Sequence, residues 1–454
     1  MMLHTHAKTD SPMISPVTYV LRFLLGDSPA CREAASLVGY TDDRSLFHRY
    51  KVIIHPSGFF DAGNYGTPHS LPSVPLKSLE GTPLLYGSPE VSAQDGRLIV
   101  KADLVASAYF LLSRYEEYVR RDVRDSHGRF PGKQSLPAQA GFIHRPVVDE
   151  YGCLLRKWLR AVGIDLPEPE NKLNCIYFTV DLDIPFLYRR WKGALRGLLS
   201  SADRLVALKT YFTDRQYDPA YTFPWIAAQN DKAVGLPCRS IYFFKSGGRT
   251  SEDKPRYNLF TKDMQALFSF CREREIQVGL HASYFAGSHP QAIRDEKTRL
   301  EEAFRSAVTC NRHHFLSCRE PEDFRFLLEN GITDDFTMGY ADVAGFRLGT
   351  CRAVSWINPA DRTVYPLTLH PLTVMDCTLD REEYMHLSFD EAVACCFGLI
   401  RQTERFHGDL TLLWHNHYLI PAQGNWQKEL YGLLTDKIAE AIREYAAIPT
   451  EQMH

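Results

Sequence analysis

Three stretches of this 454-residue chain place residues that bind metals or move protons directly after a strand-like run. Cys175–Val180 is followed by Asp181, Leu182 and Asp183, Ile276–Leu280 by His281, and Leu410–Trp414 by His415, Asn416 and His417. Taken singly, each has an ordinary explanation: paired carboxylates cap turns, and loop histidines find hydrogen bonds. Together they mean more, because the carboxyl ends of parallel strands in α/β folds face one crevice. Two carboxylates and several imidazoles gathered there suit a divalent metal with an acid and a base beside it.

Such a crevice requires a parallel sheet, and the chain supplies its parts. A further strand-like run, Ser240–Phe244, and helical stretches at Thr261–Arg274 and Phe389–Arg405 alternate with the three runs above. The last helix opens on Ser388 and Glu391, the spacing of a capping box. The fold class expected is α/β, a parallel sheet or barrel. Leu166–Asn174, LPEPENKLN, reads as a linker. The expected organisation is an N-terminal α/β accessory domain over 1–165, a linker over 166–174 and a (β/α) barrel domain over 175–454. The first region shows a strand at Lys51–Ile54 and a helix from Ala102 to Tyr118. Within the second, the segment near 188–217 reads as an inserted basic amphipathic helix, either a lid over the crevice or packing on the barrel.

Composition bounds the partners. With 44% hydrophobic and 12% aromatic residues the chain can build a core, which excludes disorder. Lys and Arg number 52 against 55 Asp and Glu, so the net charge of −3 argues against a nucleic-acid partner. No run approaches the roughly 18 apolar residues of a membrane span. The N-terminus, MMLHTHAKTDSP, lacks a basic patch followed by an apolar core. The 11 cysteines form no CxxC pair and read as buried free thiols. The expected location is the cytoplasm.

The segments FTVDLDIPF (178–186), VGLHASY (278–284), RHHFL (312–316), MGYADVAGFRLGT (338–350), PLTVMDCTL (371–379) and LLWHNH (412–417) occur in the order found in bacterial polysaccharide deacetylases. The chain resembles that family, in particular a Bacteroidetes-like branch with a DxD first motif and an additional N-terminal domain. FLLSRYEEY (110–118) and HGRF (127–130) resemble that domain's signature. The resemblance implies a distorted (β/α) barrel and metal-dependent removal of N- or O-acetyl groups from a carbohydrate. It implies Asp181 as general base, Asp183 and His281 as metal ligands, Arg312 as the residue orienting the base, and His415 as general acid.

One motif departs from the family. Its second motif carries two metal-binding histidines one turn apart, and position 285 here is Phe. His314, two residues after Arg312 at what reads as another strand end, is the expected third ligand, with His289 as the alternative. On the substrate side the expected residues are Arg347, Asp376 and Trp356. Asp376 would hold the second nitrogen of His415, and Arg347 would bind an anionic sugar or phosphate or pair with Asp342. The expected cofactor is a divalent metal, Zn²⁺ first, with Co, Ni, Fe or Mn as alternatives. Two other readings stay open: a non-catalytic carbohydrate-binding or scaffold protein, which Phe285 favours, and a DxD glycosyltransferase, which would not need His281 and His415.

Overall fold

The computed structural model describes residues 14–189, 191–200, 203–233 and 235–447. The leader reading of the first twelve residues lies outside them. Six short strands come first: β1 (Val38–Tyr40), β2 (Val52–Ile54), β3 (Lys77–Leu79), β4 (Thr82–Leu84), β5 (Gly87–Gln94) and β6 (Arg97–Ala102). They form a four-stranded sheet, β1-β2-β6-β5, and a β3-β4 hairpin. The helix expected over 102–118 is shorter and broken: Leu104–Leu112, then Tyr115–Val119. Arg114 between them is left-handed, φ 57°, and its guanidinium turns inward onto Glu117 and the Cys318 carbonyl. That buried pairing, invisible to helical periodicity, sets the break.

The remaining strands are β7 (Cys175–Leu182), β8 (Cys238–Phe244), β9 (Gln277–Ala282), β10 (Cys310–His313), β11 (Asp334–Met338), β12 (Val354–Asn358), β13 (Thr363–Pro371), β14 (Val374–Met375) and β15 (Asp409–His415). They build one sheet in the order β12-β13-β11-β10-β9-β8-β7-β15-β14. Every ladder in it is parallel except that of β12 with β13. The chain is therefore α/β. The sheet is curled. Leu372 N–H donates to the Met338 carbonyl at 2.9 Å, and Thr373 N–H to the Thr411 carbonyl at 3.1 Å. Two successive residues thus bond to β11 and to β15, so one segment touches both sides of the sheet.

Alternation along β7 explains how the sheet holds a polar site. Ile176, Phe178, Val180 and Leu182 point to the main core, while Cys175 and Tyr177 join Ile241, Phe243, Cys310 and Phe336 in a separate apolar cluster. On that second face the next residues are Thr179 and Asp181, both buried. The inner face is thus apolar at the amino ends of the strands and polar at their carboxyl ends. Gly279 keeps the two zones close, since a Cβ there would stand 2.5 Å from the Phe243 ring. Burying a Phe is worth about 1.5–3 kcal/mol, and Phe243 is fully buried directly under the polar zone.

Candidate active site

Parallel register brings the strand ends level. His415 pairs with Asp181, Asp181 with Phe243, and His281 with Arg312. The structure therefore gathers six of the expected residues: Asp181, Asp183, His281, Arg312, His314 and His415. Asp183 sits at the centre. Its Oδ1 lies 3.2 Å from His314 Nε2 and 3.5 Å from His281 Nε2, and its Oδ2 is 3.6 Å from His415 Nε2.

Each donor is aimed by its own support. His281 Nδ1 is 2.9 Å from the Arg312 carbonyl, which leaves Nε2 facing the carboxylates. His314 Nδ1 is 3.6 Å from Asp253 Oδ1. Two left-handed residues, Phe315 (φ 61°) and Leu316 (φ 52°), turn the chain immediately after His314. Such strain in non-glycine residues costs on the order of 1–3 kcal/mol each and persists where the surroundings impose it. Asn416 Nδ2 donates to the Ile184 and Ala220 carbonyls and pins the loop that carries Asp183.

Asp183, His281 and His314 offer one carboxylate oxygen and two imidazole nitrogens within 4.8 Å of one another. Asp183 Oδ1 and His281 Nε2 are buried with no hydrogen-bond partner. Ligands roughly 2.1 Å from a tetrahedral ion lie roughly 3.4 Å apart, and the observed spacings are 3.2 and 3.5 Å. The donor set fits a divalent metal. Burial works to raise the Asp183 carboxyl, but His314 and Lys245 outweigh it and hold it well below the usual carboxylate range. The second acidic group, Asp376 with Cys377 and His415, is of another kind. Its carboxylate is already engaged by His415, and burial pushes the Cys377 thiol up, so it stays protonated.

A buried carboxylate and a buried imidazole flank the triad. Asp181 Oδ1 is 3.1 Å from Arg312 Nη1, which also donates to Thr179 at 2.7 Å; Arg312 Nε donates to the Phe336 carbonyl. The guanidinium is buried and lies 4.6 Å over the Phe243 ring. On the other side His415 Nδ1 meets Asp376 Oδ1 at 2.9 Å. Burial would lower that imidazole, but Asp376 outweighs it and holds His415 at about 9. His417, two residues on, is pushed down to about 4 by burial and then by His415, so it is neutral.

Of the three expected substrate-side residues, Arg347 and Trp356 do not face this cluster, while Asp376 holds the second nitrogen of His415 as expected. Arg347 is buried and spent on Glu117, at 2.9 and 2.7 Å, and on the Gly339 carbonyl at 2.7 Å. It does not pair with Asp342, which instead accepts from the backbone N–H groups of Gly132 and Lys133. Trp356 is buried in the edge strand β12, donating to the Pro321 carbonyl and stacked on Tyr365 at 4.6 Å. Asp376 is fully buried behind His415, so it acts on the histidine rather than on a ligand. His289 is exposed and stacked 4.1 Å from Phe285, away from the triad.

Two residues at the site escaped the sequence. Lys245, just past β8, is buried with its Nζ unpartnered and 3.4 Å from Asp183 Oδ1. Asp253 backs His314 and is itself held by the backbone N–H groups of Arg249, Thr250 and Tyr284. For Lys245 a signal existed, since it ends a strand-like run as the other site residues do. Asp253 lies in an irregular loop, where no periodicity marks it.

Comparison with known proteins adds little to this geometry. Residues 31–163 match a family of unknown function, DUF7033. No curated protein matches the chain. A solved structure from Mycobacterium smegmatis, provisionally described as a polysaccharide deacetylase, is similar at 12% identity. That likeness covers 63% of this chain and 95% of the other, with a TM-score of 0.37.

Proposed function

We propose that the protein is a metal-dependent hydrolase that removes acetyl groups from a carbohydrate. The observation that carries this reading is the triad of Asp183, His281 and His314 with a buried Asp181–Arg312 pair on one side and His415–Asp376 on the other. Curled parallel strands whose two sides share residues 372 and 373 also suit the distorted barrel of polysaccharide deacetylases.

A divalent cation held by Asp183, His281 and His314 would supply Lewis acidity to the acetyl carbonyl and to the attacking water. Asp181 removes the water's proton. Its carboxylate is kept ready for that by Arg312, whose fork has Thr179 and Phe336 as fixed partners and so cannot swing away. His415, charged at neutral pH, gives its Nε2 proton to the departing amine or alkoxide, while Asp376 holds the opposite nitrogen. The neutral amine then leaves rather than an amide anion. The acceptor Asp181 and the donor His415 belong to adjacent, paired strands, so they flank one reacting group.

One observation favours a second reading, a sugar-binding protein without catalysis: the Lys245 ammonium already neutralises Asp183 from inside the site. Metal content of the purified chain and acetate release from N- and O-acetylated oligosaccharides separate the two. Acetate release that requires added Zn²⁺ or Co²⁺ supports the hydrolase. Sugar binding with neither bound metal nor acetate release supports the other.

A further inference from the structure

Residues 191–217 break the rule that soluble helices turn their large apolar side chains inward. Among the described residues thirteen large apolar side chains are exposed, and nine of them lie in this one segment. In place of the single helix expected, the chain forms a hairpin of two, Trp191–Leu199 and Arg204–Phe212. Their buried positions are small: Ala194 and Gly197 on the first, Ala207 and Thr210 on the second. A Cβ on Gly197 would stand 2.6 Å from Ala207 Cβ, so the helices meet at these small residues. The large ones point away. Trp191, Leu195 and Leu199 make one stripe at i, i+4 and i+8, and Leu205, Leu208 and Phe212 make another at i, i+3 and i+7.

Charge selects among the surfaces that could cover these stripes. From 189 to 217 the sequence has seven basic residues and two acidic ones, in a chain of net charge −3. Exposed Lys192, Arg196, Arg204 and Lys209 alternate with the apolar stripes. A second copy would set the same basic face against itself, which repulsion disfavours. An anionic lipid surface matches both features, apolar side chains for the acyl boundary and cations for the headgroups. Beside the hairpin, a cleft of about 560 Å³ is lined by apolar Ile184, Phe186 and Leu187 and by basic Lys192, Arg196 and Arg256. Ile184, one of its lining residues, follows Asp183 directly in the chain. We infer that the 191–212 hairpin seats the protein on an anionic lipid surface, with its apolar stripes in the headgroup boundary.

The test is co-sedimentation of the full chain with phosphatidylcholine vesicles, with and without phosphatidylglycerol. The full chain pellets with the anionic vesicles only and is released by high salt. Lys192→Gln with Arg196→Gln weakens partitioning roughly 25-fold, about 5-fold per charge removed. Leu199→Ser, Leu205→Ser and Phe212→Ser together abolish it without lowering the melting temperature, because these side chains already face solvent. Three results overturn the inference. They are no pelleting with anionic vesicles, pelleting untouched by either variant, and a dimer in light scattering that the triple variant dissolves. The reading needs no enzymatic activity, so it stands or falls apart from the hydrolase proposal.

Discussion

One carboxylate, Asp376, grips His415 twice: Oδ1 stands 2.9 Å from the ring Nδ1, and Oδ2 accepts from the histidine's own backbone N–H at 2.6 Å. Ring tilt and charge are thereby fixed by the same group. With its pKa held at about 9, His415 keeps its proton through neutral pH and loses it above. In the proposed reaction, acid catalysis by His415 should be available below about 9 and fall as pH rises past it. A cation bound at Asp183 pulls that limb lower, because like charge disfavours the imidazolium.

Asp376→Asn removes the charge that raises His415, so the alkaline limb of kcat on an acetamide should move down by roughly 1–3 units. His415→Asn should cost roughly 10²–10⁴ in rate on the acetamide and much less on an aryl acetate, whose leaving group needs no proton. Stability follows the same sign. A histidine at about 9 when folded and roughly 6.5 when unfolded stabilises fully below 6.5, and the gain is lost as pH rises through 9. An alkaline limb unmoved in Asp376→Asn would remove His415 from the acid role.

Metal content separates the two histidines that compete for the third position. His314→Ala, like Asp183→Ala and His281→Ala, should weaken metal binding by at least roughly 100-fold while leaving the circular dichroism spectrum intact. His289→Ala should leave binding unchanged, since His289 is exposed and stacked on Phe285. Asp253→Asn should weaken it by roughly 10- to 100-fold, through the orientation of His314. Equal metal content in the His281 and His314 variants and the parent chain would sink this assignment.

These contrasts also show where the sequence stops being legible. Strand ends at 181–183, 281 and 415 were readable because long apolar runs end abruptly in ligand-type residues, and parallel register does the rest. His314 was readable too, from its place after Arg312, but not the strained turn at Phe315 and Leu316 that follows it. No local pattern predicts that turn. Arg347 was misplaced for a different reason: its partner Glu117 is 230 residues away, and a basic residue between glycines looks the same whether it binds a ligand or a buried carboxylate. Trp356 likewise looks alike as a sugar platform or as an edge-strand core residue.

The Arg347 correction is testable on its own. Glu117 is buried between Arg114 and Arg347, with side chains on all three nearly inaccessible. Burial acts to raise the Glu117 carboxyl, and the two guanidinium groups outweigh it and lower it. Removing one partner of a buried pair leaves uncompensated charge, so Arg347→Met should cost about 3–5 kcal/mol in urea unfolding. KM for an acetylated oligosaccharide should not change. A raised KM with unaltered stability would return Arg347 to the substrate side.

Lys245 should govern how readily the triad takes a metal. Its ammonium is buried, finds no hydrogen-bond acceptor, and lies 3.4 Å from the same Asp183 oxygen that faces His281 and His314. A divalent cation at that oxygen must displace the ammonium or sit against it, and repulsion between such charges is costly where water is scarce. Lys245→Met keeps the length and apolar stem while deleting the charge. It should raise metal affinity at least tenfold, the effect of about 1.4 kcal/mol of relieved repulsion. Calorimetric titration of the apo chain with Zn²⁺ measures this directly. If the parent chain binds no metal and Lys245→Met binds one equivalent, the lysine is the resident cation and the sugar-binding reading gains. If both bind tightly and equally, Lys245 has no hold on Asp183 in the loaded protein, and the competition argument fails.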